Sequence, residues 1–123
     1  MTNDSQIDFD HLSQYVGSDP QLTAEIFGLF KNQVDLWTPQ LRSDLDDDSW
    51  GMMAHSLKGT ARAIGANKLA DVCENAETLI GENKRPGARD VAINKMEDLI
   101  SLIMIEIQRW EYRQTIADIK GGD

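Results

Sequence analysis

Apolar residues recur three and four positions apart along almost the whole chain, and this spacing is the strongest constraint on its fold. A helix turns about 100° per residue, so side chains at these spacings gather on one face. The segment 99–107 would also suit a buried strand, but it would have no partner strand in an otherwise helical chain. The sequence therefore predicts an all-α fold, an antiparallel four-helix bundle with an additional short N-terminal helix.

Capping and turn residues mark where the first helices begin and bend. Ile7 and the apolar residues after it indicate the short N-terminal helix. Asp19 followed by Pro20 is typical of a helix start, because proline fits the first helical position. Pro39 lies within the apolar stripe that follows, and we expect a bend just before it because proline disrupts a continuous helix.

Similar signals mark the later helices. Three consecutive aspartates at 46–48 predict the start of a helix over about residues 49–64. Asn67 is the predicted cap of the next helix, whose inward face we expect to include Ile80. A loop rich in Gly and Pro follows, and the last helix is predicted to reach about Ile116.

Length and charge limit the class of protein. The chain has 123 residues, which fits a single domain over residues 1–123 with a bundle core over about 19–117. Its 12 basic and 21 acidic residues give a net charge of −9, which argues against nucleic acid and anionic membranes as partners. One cysteine and two histidines predict neither a disulfide framework nor a zinc site. Without a signal-peptide pattern or a membrane-length apolar run, we expect a cytoplasmic monomer.

The segment around His55 is the most specific part of the sequence. In helical projection its core-facing stripe comprises Trp50, Met53, Ala54, Leu57, Ala61 and Ile64. His55 falls about 160° from Leu57, with Gly59 and Arg62 on either side of it. The imidazole is therefore predicted to face solvent, which makes a buried core histidine the weaker interpretation.

Gly59 argues against an exposed histidine without a role. An interior glycine costs a helix about 1 kcal/mol relative to alanine, and this one leaves room beside the ring for another molecule. Lys58 and Arg62 supply positive charge nearby. Imidazole is a nucleophile at neutral pH, and phosphoryl transfer depends mainly on positioning and charge stabilisation. The pattern indicates a histidine that accepts and hands on a phosphoryl group.

Charge is unevenly distributed along the chain. Residues 52–70 contain three basic and no acidic residues, a local charge of +3, whereas the other 104 residues carry −12. The positive charge lies on the segment that carries the outward histidine, which supports the interpretation of that histidine as a phosphoryl carrier.

The segment resembles the signature of histidine phosphotransfer (HPt) domains of two-component phosphorelays. The matching residues are His55-Ser56-Leu57-Lys58-Gly59-Thr60-Ala61, then Ile64-Gly65-Ala66 and Leu69. The match has no gap over residues 55–69, and a looser likeness covers about residues 19–110. Serine directly after the histidine is typical of bacterial members.

The resemblance implies a role for each matching residue. His55 would be phosphorylated, Lys58 would interact with the phosphoryl group, and Gly59 would give clearance to the partner. Glu77 stands where family members often carry a Gln that orients the histidine. The supporting role of Arg62 rests on its charge and its helical position alone, not on the resemblance. The partners would be response-regulator receiver domains, supplied by a hybrid sensor histidine kinase.

The resemblance also implies a phosphohistidine carrier without kinase activity. The chain has no phosphate-binding loop and no carboxylate–Asn pair for magnesium, so no cofactor or metal is expected on it, and Mg²⁺ is expected on the receiver only. Two alternatives stay open. One is the phosphoacceptor domain of a chemotaxis-type kinase, and the other is a receiver-binding bundle that exchanges no phosphoryl group.

Other residues with reactive side chains have plainer interpretations. His11 is predicted to be a surface residue, Cys73 a buried and inert thiol, and the aspartates at 46–48 a helix start rather than a metal site. Receiver docking in the resembled family uses an apolar surface near the histidine. The candidates for that surface are Phe9, Ile7 and Ala66.

Overall fold

The computed structural model describes residues 5–121, and its regular elements are helical. The α-helices are α1 (Phe9–Val16), α2 (Pro20–Trp37), α3 (Asp47–Ala63), α4 (Asn67–Glu77) and α5 (Ala88–Gly121). Short 3₁₀ turns at Thr38–Gln40 and Gly81–Asn83 lie in the connections from α2 to α3 and from α4 to α5. No strand occurs between residues 5 and 121, so the prediction of an all-α fold is confirmed.

Helices α2 to α5 form a closed four-helix bundle. α3 packs against α4 and α4 against α5, while α2 contacts both α3 and α5. One apolar cluster fills the interior, and its largest fully buried side chains include Trp50, Phe27 and Phe30. The boundaries proposed for a single domain stay a prediction, although the buried apolar residues join in this one cluster.

The N-terminal helix α1 is attached to the bundle by backbone as well as side-chain contacts. The carboxylate of Glu106 on α5 accepts hydrogen bonds from the backbone N–H groups of Gln6 and Ile7. The Asp8 N–H donates to the Gly65 carbonyl over 2.9 Å. Gly65 has a φ of +71°, and a Cβ there would lie 2.9 Å from the Asp8 carbonyl oxygen. Glycine is therefore required at this turn for α1 to pack there.

Two helix starts and the break before Pro39 agree with the predictions made from the sequence. Asp19 caps α2 by accepting from the N–H groups of Gln21 and Leu22. Asp46 caps α3 by accepting from the Ser49 N–H, and this hydrogen bond lowers the pKa of the Asp46 carboxyl. α2 ends at Trp37, one residue before the 3₁₀ turn that contains Pro39.

Three boundary predictions are wrong. Asn67 is the first residue of α4 rather than its cap, because the tight turn at Gly65 places Ala66 in the capping position. Ile80 is exposed, because α4 ends at Glu77 and its helical periodicity stops there. α5 continues past Ile116 to Gly121, since no helix-breaking residue precedes the glycine.

Arg89 is a buried charged residue that sequence reasoning missed. Its side chain is 3% exposed and donates hydrogen bonds to the carbonyls of Leu79 and Leu45 and to the carboxylate of Asp47. Its guanidinium also lies 4.6 Å from the centre of the Trp50 ring. One guanidinium therefore joins both connecting loops to the start of α3.

We expect Arg89→Lys to destabilise the fold by about 2–3 kcal/mol, because an ammonium cannot reach these separated acceptors at once and buried carbonyls lose their donors. Urea unfolding followed by circular dichroism measures the change. Arg85→Lys, at an exposed position in the adjoining loop, is the matched control and should leave the free energy of unfolding unchanged. Equal effects of the two substitutions would contradict the role of Arg89.

Candidate functional site

α3 buries one face and presents His55 on the other. Trp50, Met53 and Leu57 are buried, as the helical projection predicts, whereas the His55 side chain is 74% exposed. The Trp50 indole N–H donates to the Ala76 carbonyl over 2.7 Å, which fixes the start of α3 against the end of α4. The imidazole is therefore held on a rigid element and is accessible to a partner as large as a protein domain.

Glu77 connects His55 to Lys58. Its Oε1 atom lies 2.7 Å from Lys58 Nζ and 3.5 Å from His55 Nδ1. This oxygen is buried and lies outside hydrogen-bond geometry with its neighbours among residues 5–121, so the short contact with Lys58 is an ion pair rather than a directed hydrogen bond. Lys58 is only 12% exposed, which shows that its ammonium lies against α4 rather than in solvent.

In the folded protein, two of the three basic residues at positions 52–70 are paired with acidic residues of α4. Lys58 pairs with Glu77, and Arg62 Nη2 lies 3.8 Å from Glu74 Oε2. Within residues 5–121, Lys68 alone of the three bases has no ion pair. The charge of +3 counted along residues 52–70 is therefore largely compensated by two glutamates that are remote in sequence but adjacent in space.

Two glycines flank His55 on the exposed face of α3. A Cβ at Gly59 or at Gly51 would meet no atom within 4 Å, so neither glycine is required by packing inside the protein. Each lies one turn from His55 and about 40° from it in projection. Sequence reasoning missed Gly51, although its spacing of four residues from the histidine is the same signal that identified Gly59.

An apolar groove runs between α2 and α3 and begins beside Gly59. Its volume is about 670 Å³, and its lining includes Tyr15, Leu29, Ala63 and Arg62. Leu29 is 63% exposed, and the Tyr15 ring is also largely exposed. His55 therefore lies between two different surfaces, the ion pair of Lys58 with Glu77 and this apolar groove.

Two of the three docking candidates are wrong. Ile7 and Ala66 are buried, because the N-terminal segment packs over the turn that contains Ala66. Phe9 is half-buried and packs edge-on against Phe27, with ring centres 6.2 Å apart. The exposed apolar surface close to His55 comes instead from the groove.

The remaining candidates have structural explanations. Burial raises the pKa of the Cys73 thiol to about 12, so the thiol stays protonated. His11 is half-buried and packs edge-on against Tyr15, with ring centres 5.3 Å apart. Asp47 accepts from the Gly81 N–H, which lowers the pKa of its carboxyl, and it also pairs with Arg89.

These features define a class of helical bundle with an exposed imidazole on α3, between an ion pair and an apolar groove. A family model for the Hpt domain matches residues 23–110, and the chain belongs to this family. It therefore has a histidine phosphotransfer role in phosphorelays, in which Hpt domains interact with receiver domains and kinases. Neither the curated proteins nor the solved structures include a significant match. Between residues 5 and 121, no helix has the length and apolar content to cross a membrane.

Gly59→Ala should stabilise the isolated protein by about 0.5–1 kcal/mol, because alanine favours a helix interior and its Cβ would meet open space. Gly28→Ala on α2 is the matched control, since a Cβ there also meets no atom within 4 Å. Thermal and urea unfolding should show an increased free energy of unfolding for both variants. A loss of stability only at Gly59 would show that the glycine is required by the fold itself.

Proposed function

We propose that His55 carries the phosphoryl group, accepting it from a receiver aspartate and passing it to a second receiver. The observation that carries this proposal is that His55 lies within the matched residues 23–110, whereas His11, the other histidine, lies outside them. The exposure of His55 and its position opposite the core stripe support the same assignment. We further propose that the protein works as a cytoplasmic monomer.

The position of Glu77 favours Nε2 as the reacting atom. A proton on Nδ1 faces the Glu77 carboxylate at 3.5 Å, which leaves the Nε2 lone pair free. Nε2 then forms a bond to phosphorus as the P–O bond to the donor aspartate breaks and the carboxylate leaves. Onward transfer reverses this step with the second receiver. Glu77 thus orients the ring, Lys58 neutralises phosphoryl charge, and Arg62 adds positive charge at the rim.

The groove between α2 and α3 supplies a docking surface for the receiver. It adjoins Gly59 and exposes Leu29, so an apolar patch of the partner has contact area close to the reacting ring. The absence of side chains at Gly51 and Gly59 lets the rim of the receiver's aspartate pocket approach Nε2. Docking and chemistry therefore use adjacent parts of one face.

His55→Gln should abolish phosphoryl transfer from receivers carrying a ³²P-labelled aspartyl phosphate, because an amide has no comparable nucleophile. His11→Gln is the matched control and should take up label as the wild type does. The wild-type label should be stable in base, labile in acid and attached to Nε2. Labelling of His55→Gln would overturn the assignment. Efficient labelling by an ATP-loaded kinase core but by no receiver would support a chemotaxis-type phosphoacceptor domain instead.

Leu29→Asp should weaken receiver binding and slow transfer about tenfold, because it places a charge where an apolar contact forms. Leu36→Asp is a close control, since Leu36 is on the same helix, is 62% exposed and lies outside the groove. Direct labelling of His55 by phosphoramidate, a small phosphodonor that needs no docking, should be equal in both variants. Equal transfer from the receiver in both would exclude the groove as the docking surface.

A further inference from the structure

Glu77 places a negative charge next to a histidine that, by the proposed function, carries a dianionic phosphoryl group. A carboxylate at this position repels such a group, whereas an uncharged amide of the same size would not. Orienting the ring does not by itself require the charge. The charge of Glu77 pairs with Lys58, and its effect on a phosphorylated His55 is a separate question.

The ion pairs on the His55 side of the bundle are formed between two helices. α3 contributes Lys58 and Arg62, and α4 contributes Glu74 and Glu77. On the other side, α1 contributes the Tyr15 phenol at the groove, and the groove residues of α2 carry no charge. Only Glu77 among these groups has an oxygen within 4 Å of a His55 ring nitrogen.

We propose that Glu77 is a positioning residue that limits the lifetime of the phosphohistidine, by keeping a proton on Nδ1 and by holding the Lys58 ammonium partly away from the phosphoryl group. The proposal rests on His55 as the carrier. Its geometric basis is the position of one buried oxygen, 3.5 Å from Nδ1 and 2.7 Å from Lys58 Nζ.

The proton on Nδ1 determines how easily the P–N bond breaks. When Nδ1 is protonated, the bonding pair returns to Nε2 and the ring leaves as neutral imidazole, while phosphorus forms a bond to the oxygen of water or of an acceptor aspartate. Without that proton the ring would leave as an imidazolate anion, which is a much poorer leaving group. A carboxylate facing Nδ1 favours the protonated ring and so favours cleavage.

Lys58 contributes to the same effect. An ammonium close to the phosphoryl oxygens would stabilise the phosphorylated state, but Lys58 Nζ is shared with Glu77 at 2.7 Å. Removing the charge of Glu77 would release Lys58 to the phosphoryl group and remove the repulsion between carboxylate and phosphoryl. Both consequences lengthen the lifetime of the P–N bond, so removing the charge of Glu77 is expected to slow hydrolysis of the phosphohistidine.

The test is the hydrolysis of the phosphorylated full chain, prepared with phosphoramidate so that no receiver is needed. Glu77→Gln keeps one oxygen acceptor in a side chain of nearly the same shape, and it replaces the negative charge and the second oxygen with an uncharged NH₂ group. Its phosphohistidine should hydrolyse about three- to tenfold more slowly at pH 7. The midpoint of its rate against pH should also move to lower pH, as ³¹P NMR measures.

Two further variants separate charge from structure. Asp71→Asn removes one negative charge from an exposed position on the same helix, at a residue that makes no ion pair within residues 5–121, and should hydrolyse as the wild type does. Glu77→Asp restores the charge. It should recover part of the wild-type hydrolysis rate and part of the wild-type midpoint of that rate against pH. A purely structural role for Glu77 would change thermal stability in Glu77→Gln without moving the pH midpoint.

The outcomes distinguish this inference from the proposed function. If phosphoramidate and phosphorylated receivers both fail to label wild-type His55, the carrier assignment itself is wrong. If His55 is labelled but Glu77→Gln hydrolyses at the wild-type rate, or faster, the lifetime role of Glu77 is overturned. An equal slowing in Asp71→Asn would also overturn it, because the effect would then reflect net charge rather than position.

Discussion

Close packing of α3 against α4 is the constraint on which the arrangement of the site depends. Small residues such as Ala54, Ala61 and Ala76 are fully buried along these helices, which lets the two backbones approach each other. The Trp50 indole bonded to the Ala76 carbonyl sets how far one helix is shifted along the other. That shift, rather than any local sequence signal, brings Glu77 beside His55 and Lys58.

Most of the local structure could be predicted from the sequence, because it depends on geometry within single helices. The apolar stripe of α3 determines that His55 faces outward, and the cap at Asp46 determines where α3 begins. Predictions failed where two remote segments meet. The pairing of Lys58 with Glu77 depends on the position of α4, and the burial of Ile7 depends on α1 packing over the α3–α4 turn.

Arg89 illustrates a second reason for such failures. Composition and spacing treat an arginine as a surface residue, because buried charges are rare unless they are paired. Here the surrounding carbonyls and Asp47 supply that pairing, and they come from two loops whose course cannot be read from periodicity. Arg89 thereby ties the two loops at the N-terminal end of α3 to the start of that helix.

His55 lies between two surfaces with different physical properties, one with the glycines and the groove and one with Glu77. By the proposed function, the side with the glycines and the groove receives the partner, and the open space at Gly59 costs the helix stability without improving internal packing. The Glu77 side acts on the ring itself. A carrier that passes its group onward must not make the phosphorylated histidine too stable, because an interaction that stabilises this state more than the transition state raises the barrier to transfer. A lysine without a counter-charge would have that effect, and a lysine shared with a carboxylate moderates it.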